Sequence, residues 1–224
     1  MESGRALVLL SGGQDSTTCL YWAIRKFGEG QVTAMSFDYG QRHRIELDCA
    51  LSIAADAGVD YVCLPINTFS ALGGDALTES SIDVDNEIND ETGLPNTFVP
   101  GRNLVFLTYA AAYAWQHDID NLVTGVAQTD YSGYPDCRQE TMEALQQALR
   151  LGMESQVIIH APLMHRSKKE TVELAAELGA MDAMALTHTC YNGARPPCGE
   201  CPACVLRAKG FAEAGIEDPL VAAA

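Results

Sequence analysis

The sequence predicts an α/β fold: a five-stranded parallel sheet flanked by helices, with a small cysteine-rich segment near its C-terminal end. Three observations carry that expectation. Apolar runs of strand length recur at Ala6–Leu10, Val32–Phe37, Tyr61–Pro65, Leu122–Gly125 and Val157–Ala161. Between most of them the apolar residues return with helical spacing, and such alternation builds parallel sheets covered by helices on both faces. Finally, four of the eight cysteines crowd between Cys190 and Cys204, outside the alternating pattern.

The first run leads into Ser11-Gly-Gly-Gln-Asp-Ser16 and then into a helix expected over Asp15–Phe27. A buried strand, a glycine turn and a helix start make a cradle for phosphate, because glycines expose backbone N–H groups and the helix N-terminus adds unpaired donors and a positive dipole end. No lysine follows the glycines, so the eight-residue loop that grips β- and γ-phosphates is not indicated. The plainer reading is a strand-to-helix turn with Asp15 or Ser11 as N-cap. A second helix is expected over Gln41–Gly58, a third over Asn103–His117, a fourth over Gln139–Met153 and a fifth over Ser167–Gly179, with Gly58 and Gly179 as C-terminal stops. The acidic stretch from Gly73 to Gly93 reads as an excursion over the sheet edge, either a lid or a dimer contact.

Four clusters, the Ser11–Ser16 loop among them, follow predicted strands, where ligands bind in such sheets. Phe37-Asp-Tyr39 stands where adenine or ribose would lie if the first loop holds phosphate; it also reads as a plain turn with a buried aromatic. In Gly125–Arg138, Asp130, Tyr131, Tyr134 and Asp136 suit a flat heterocycle with N–H donors, by carboxylate hydrogen bonds and tyrosine stacking. Those aspartates can equally cap turns. Lys168, in Ser167-Lys-Lys-Glu170, is placed to neutralise an adenylate or pyrophosphate; the plainer reading, a solvated helix end, suits Lys169 better than Lys168. Arg102, in Val99-Pro-Gly-Arg-Asn103, can pair with a phosphate or carboxylate, or sit on the surface beside an Asn103 N-cap.

The 224 residues suffice for one domain with a small appendage, and the hydrophobic fraction of 47% is ordinary for a globular protein. A formal charge of −16 with four lysines argues against a long nucleic-acid footprint, which needs clustered cations. The longest apolar stretch, Leu104–Trp115, is too short to span a bilayer, and no basic segment precedes the first apolar run. A cytoplasmic protein acting on small molecules is expected. Cys19, Cys49, Cys63 and Cys137 are scattered through predicted elements and read as buried and reduced. Cys190, Cys198, Cys201 and Cys204, with Pro196, Pro197 and Gly199 shaping turns, have the spacing of a structural Zn²⁺ knuckle. An iron–sulfur cluster and disulfides are the alternatives.

The first loop resembles that of the PP-loop ATP pyrophosphatases, which cleave ATP between its α- and β-phosphates and adenylate an oxygen of the substrate. The resemblance implies a Rossmann-like, adenine nucleotide alpha hydrolase-like sheet. Carried over by position, Ser11, Gly12, Gly13, Asp15 and Ser16 hold pyrophosphate, Asp15 through Mg²⁺, with Leu10, Gln14 and Thr17 completing the ATP site beside Phe37 and Tyr39.

SGGQDSTTCL, SFDYGQ, VPGRN, DYSGYPDCR and THTCYNG followed by CGECPACVLRAKGF, in this order, resemble the 7-cyano-7-deazaguanine synthase family over nearly the whole chain. The resemblance implies a carbon–nitrogen ligase that converts 7-carboxy-7-deazaguanine and ammonia to the nitrile with two ATP, through an adenylated acid and an adenylated amide. It further implies a homodimer and a catalytic body, 1–186, carrying a zinc segment, 187–224. Lys168, Arg102, Asp130 and Asp136 are the expected catalytic and substrate residues. His188 departs from the pattern at a position not expected to be constrained. The rival readings are a PP-loop tRNA sulfurtransferase with an iron–sulfur cluster and an inactive nucleotide-sensing scaffold.

Overall fold

The computed structural model describes residues 4–41, 44–73, 75–78, 92–128 and 134–222, together with Ile82, Val84 and Ile88. Asp130 and Tyr131, and most of the acidic stretch after Gly73, lie outside the described residues. The strands are β1 Ala6–Leu9, β2 Val32–Asp38, β3 Asp60–Pro65, β4 Asn121–Val123 and β5 Ile158–His160. The helices are α1 Gln14–Phe27, α2 Ile45–Asp56, α3 Phe69–Leu72, α4 Arg102–Gln116, α5 Gln139–Met153, α6 Lys168–Glu177, α7 Met181–Met184, α8 Pro202–Ala214 and α9 Pro219–Ala222.

All five strands are parallel, in the order β3-β2-β1-β4-β5. β1 is central because Ala6, Leu7 and Val8 are wholly apolar and have no accessible surface. Its alternation separates two cores. Ala6, Val8 and Leu10 pack with Leu20 and Ala23 of α1, Ile53 of α2 and Leu174 of α6. Leu7 and Leu9 face the other way, onto Leu107 and Ala111 of α4 and Leu149 of α5. The chain leaves β1 toward β2 on one side and reaches β4 on the other, so a crevice opens at the carboxyl ends of β1 and β4.

Where the elements differ from the sequence pattern, a specific contact is responsible. α2 begins at Ile45 rather than Gln41 because Gln41 closes a turn: its Oε1 accepts from the Tyr39 N–H at 2.9 Å and its Nε2 donates to the Phe37 carbonyl. β4 stops at Val123, short of Gly125, where the chain turns in against the start of α1. Gly58 and Gly179 follow α2 and α6 with positive φ, as the pattern implied. The scattered cysteines do not share one environment. Cys19 and Cys49 are buried, Cys137 is half-buried, and Cys63 is exposed because β3 is an edge strand.

Gly12 marks a close crossing of backbone on backbone. Its φ is +85°, and a Cβ there would lie 2.3 Å from the Glu46 carbonyl oxygen of α2. Backbone cannot yield as a flexible side chain can, so side-chain-free residues alone fit. Gly12→Ala is expected to lower stability by about 3 kcal/mol, from a strained φ plus the overlap with α2. Gly30 also has positive φ but open space around it, and Gly30→Ala is expected to cost about 1 kcal/mol. Denaturant unfolding of the two variants measures the difference.

Candidate active site

The loop between β1 and α1 is organised by its own hydroxyls. Ser11 N–H donates to Ser16 Oγ at 3.1 Å, and the two hydroxyls share a hydrogen bond of 3.0 Å. Ser16 Oγ and Thr17 Oγ1 both donate to the Gly13 carbonyl, at 3.1 and 2.8 Å. Gly13 is the N-cap of α1 in extended conformation, and no side chain caps the helix. The first-turn N–H groups therefore face the crevice with the positive end of the helix dipole. Two further elements pin the loop. A Cβ at Gly125 would lie 3.1 Å from Ser16 N, and His188 N–H donates to the Gly12 carbonyl at 2.8 Å.

The structure brings Asp15 and Lys168 together: Lys168 Nζ lies 2.5 Å from Asp15 Oδ2, with the lysine side chain 12% exposed. Lys168 owes its place to a capping box at α6, in which Ser167 Oγ accepts from Glu170 N–H and the Glu170 carboxylate accepts from Ser167 N–H at 2.7 Å. Those hydrogen bonds hold the Glu170 carboxyl below its ordinary range. From the other side α8 presses on Lys168 at Gly210, where a Cβ would lie 2.9 Å from the lysine Cβ. Two polar atoms at the loop, Gln14 Nε2 and Asp15 Oδ1, are buried without a hydrogen-bond partner among the described residues. Buried polar groups are normally satisfied, so these two fit a polar ligand or its counter-ion.

A cavity of about 300 Å³ opens beside the loop, over the ends of β1, β2 and β4. Phe37, Tyr39, Phe106 and Tyr134 form an aromatic wall, in which Phe37 stacks on Phe106 at 4.6 Å. Arg102 enters it as the first residue of α4: its Nη1 donates to Tyr39 Oη at 3.4 Å, and its guanidinium lies 5.8 Å from the Tyr39 ring centre. Burial opposes the Arg102 charge, but the surrounding Tyr39, Tyr191 and Tyr134 hydroxyls and the Asp136 carboxylate hold its proton more tightly than usual. Burial pushes the Tyr39 hydroxyl up to about 12, so it stays protonated at neutral pH.

Asp136 has another task than the one its loop suggested. It is buried behind the cavity wall, and its Oδ2 accepts from the Asn103 N–H at 3.0 Å, capping α4 across a gap in sequence. Asn103 is accordingly not the N-cap of α4; Gly101 holds that position with φ +73°. Asp136 thus positions Arg102, one residue before Asn103, while Tyr134 and Cys137 beside it line the cavity.

A second cavity, about 200 Å³, lies on the far side of the loop, between Lys168, His188, Thr189 and Arg207. Ser11, Asp15, Ser16, Glu46 and Tyr191 line both. Glu46 and Tyr191 were not among the expected catalytic or ATP-binding residues. The available signal for Glu46 was weak: an acidic residue in the first turn of a helix that follows a strand's carboxyl end. His188 is constrained after all, since besides its N–H bond to Gly12 its Nε2 lies 2.8 Å from the Cys190 carbonyl and its side chain is buried.

The Sγ atoms of Cys190, Cys198, Cys201 and Cys204 lie within 4.8 Å of one another and can hold a metal ion. Cys198 Sγ accepts N–H groups of Cys201 and Glu200 at 3.4 and 3.5 Å, and these pull its thiol down to about 6. Four thiolate donors suit a closed tetrahedral site. From this cluster α8 carries Arg207 inward, where its Nε and Nη2 donate to the two Asp218 oxygens at 2.7 and 2.8 Å. Its Nη1 reaches Thr187 Oγ1 and Thr189 Oγ1 at 2.8 and 3.0 Å. Arg207 thereby holds the strand of chain that carries His188 to Gly12.

Residues 5–215 match the family model of QueC, described as a queuosine biosynthesis protein. A 7-cyano-7-deazaguanine synthase from Chromobacterium violaceum is 66% identical over 97% of this chain and 93% of its own. A protein of the same name from Laribacter hongkongensis is 67% identical, covering 96% and 93%. Among solved structures, the U34-tRNA thiolase NcsA from Methanococcus maripaludis, with its 4Fe-4S cluster, is 18% identical at a TM-score of 0.50, over 80% of this chain and 59% of that one. That likeness concerns the fold.

Asp218→Ala leaves the Arg207 guanidinium buried without its counter-ion. The expected loss is about 3–5 kcal/mol, the usual cost of breaking a buried pair from one side, read from the midpoint of denaturant unfolding.

Proposed function

Because the chain belongs to the QueC family of queuosine biosynthesis proteins, we propose that it is an ATP-dependent ligase that converts 7-carboxy-7-deazaguanine and ammonia to 7-cyano-7-deazaguanine. The observation that carries the reading into this site is the convergence of the α1 N-terminus and the Ser11–Ser16 hydroxyls where the two cavities meet, with the aromatic wall on one side and Lys168, paired with Asp15, on the other. A carboxylate becomes an electrophile when its oxygen gains a good leaving group. Attack of that oxygen on the α-phosphate of ATP releases pyrophosphate, whose charge the loop N–H groups and Lys168 receive. Ammonia then displaces AMP to give the amide. Adenylation of the amide oxygen by a second ATP, followed by loss of AMP and a proton, leaves the nitrile.

Arg102 is the cation on the substrate side, held among Tyr39, Tyr134 and Tyr191 where a flat heterocycle can stack. Asp130 keeps its expected role in reading the heterocycle's N–H edge, and Asp136 acts by positioning α4. Asp15 Oδ1, buried and unpartnered among the described residues, is the group that would meet a Mg²⁺ accompanying ATP and help neutralise phosphate charge. In the four-cysteine cluster zinc is the natural occupant, and a closed set of thiolates gives it a structural role. Residues 187–224 then form a metal-fastened clamp on the catalytic body, 1–186. The reading places the enzyme in the cytoplasm, and a homodimer would cover exposed side chains such as Tyr109 and Trp115 of α4.

Mass spectrometry after incubation with ATP, ammonium and 7-carboxy-7-deazaguanine should show the nitrile together with AMP and pyrophosphate. Absence of nitrile with all three substrates present overturns the assignment. Lys168→Ala and Arg102→Ala should each lower turnover by roughly 10²-fold or more; intact turnover in either removes that residue from the catalytic set. The purified protein should be colourless with one zinc per chain, whereas Cys201→Ser should lose the metal and render the C-terminal segment sensitive to protease. A brown protein carrying iron and sulfide would instead favour the sulfurtransferase reading.

A further inference from the structure

At neutral pH ammonia is almost wholly ammonium, which has no lone pair for attack on an acyl adenylate. A site that uses it needs an anionic group to receive the cation and one of its protons, close to the electrophile. Among the described residues two carboxylates line the cavities, Asp15 and Glu46, and the buried carboxylates of Asp136 and Asp75 are engaged elsewhere. Asp15 Oδ2 pairs with Lys168, Asp136 Oδ2 caps α4, and the Asp75 oxygens take Leu77 N–H, Thr78 N–H and the Thr78 hydroxyl.

Glu46 differs from these. It lines both cavities, and its carboxylate forms no hydrogen bond or ion pair among the described residues. The contact of its own carbonyl oxygen with Gly12 fixes where α2 stands relative to the phosphate loop. We propose that Glu46 is the proton acceptor for the ammonium substrate, which enters through the smaller cavity and is delivered at the junction to the adenylated carboxyl group in the larger one. The proposal rests on the synthase reading above.

The step balances simply. One N–H bond of ammonium breaks and an O–H bond forms on the Glu46 carboxylate, leaving the electron pair on nitrogen. That pair adds to the carbonyl carbon of the acyl adenylate. The adduct expels AMP with the electrons of the carbon–oxygen bond, its nitrogen gives one more proton to water, and Glu46 returns its own to solvent. The environment suits this cycle: burial raises the Glu46 carboxyl to about 7, with Arg102 pulling the other way. Arg102, Tyr39 and Tyr191 face it across the larger cavity, and Asp15, Lys168, His188 and Arg207 across the smaller. A proton acceptor works best near the operating pH.

The test separates the half-reactions. Exchange of labelled pyrophosphate into ATP, dependent on 7-carboxy-7-deazaguanine and run without ammonium, reports adenylation alone. Glu46→Gln should keep this exchange near the wild-type rate while nitrile formation at pH 7 falls by roughly 10²-fold. The deficit should shrink by about tenfold per pH unit as free ammonia rises in the assay. Glu46→Asp, which keeps a carboxylate, should retain more nitrile formation than Glu46→Gln. Thermal unfolding at pH 8 should show Glu46→Gln at least as stable as wild type, since the amide removes a buried ionised group. Unimpaired nitrile formation in Glu46→Gln, an equal loss of exchange and nitrile formation, or a deficit that ignores pH would each overturn the proposal. A wild-type protein with neither exchange nor nitrile product would fail the synthase reading itself, and this proposal with it.

Discussion

The site depends on the passage of the chain at Gly12, where backbone meets backbone from two directions. The Glu46 carbonyl of α2 lies where a side chain would have to be, and the Gly12 carbonyl receives the His188 N–H. One glycine thus joins the phosphate loop to the second helix and to the C-terminal segment. Elements distant in sequence are thereby held in fixed relation at the loop, as the proposed phosphate chemistry would require. Helix α1 can then leave its N–H groups uncapped, because the loop's own hydroxyls and its neighbours fix it instead.

The charge distribution follows a related logic. A chain of net charge −16 places its few cations deliberately. Lys168, Arg102 and Arg207 all sit at or behind the two cavities, each against a carboxylate or a tyrosine hydroxyl. An anionic substrate therefore meets local positive charge inside an acidic surface, and dispersed anionic polymers meet repulsion. The Asp15–Lys168 pair has a further consequence, because pairing leaves Lys168 largely neutralised, and under the proposed function a phosphate would have to compete for it. Under the proposal an ammonium ion has the opposite requirement, which a carboxylate at the junction of the cavities with no partner among the described residues would meet.

Much of this was legible from the chain. The five strands and their helices follow from the spacing of apolar residues, and β1 proved central because its run is unbroken on both faces. The loop, Lys168 and the four cysteines could be read because each is local: a turn, a capping box and a knuckle announce themselves within a few residues. What sequence could not reveal is long-range. Asp136 looked like a substrate ligand and caps a helix beginning more than thirty residues earlier. His188 looked incidental, yet its backbone closes the loop and its ring supports the cysteine cluster. Glu46 lay unnoticed on α2 because nothing local distinguishes it from a surface glutamate; its importance arises only when α2 crosses Gly12.

These long-range ties give the four-cysteine cluster, which can hold a metal ion, a bearing on the site although none of its four sulfurs lines either cavity. Cys190 adjoins Tyr191, which lines both cavities, and follows His188 by two residues. Cys201 and Cys204 bracket the start of α8, which in turn delivers Gly210 against Lys168 and Arg207 against Thr187. A metal that draws the four sulfurs together sets the angle between the Thr187–Tyr191 segment and α8, and so the separation of His188 from Lys168. Those two residues face each other across the smaller cavity. An ion held by the four sulfurs would therefore set the width of a cavity that it does not touch, and loosening the cluster would be felt first by the smaller of the two cavities.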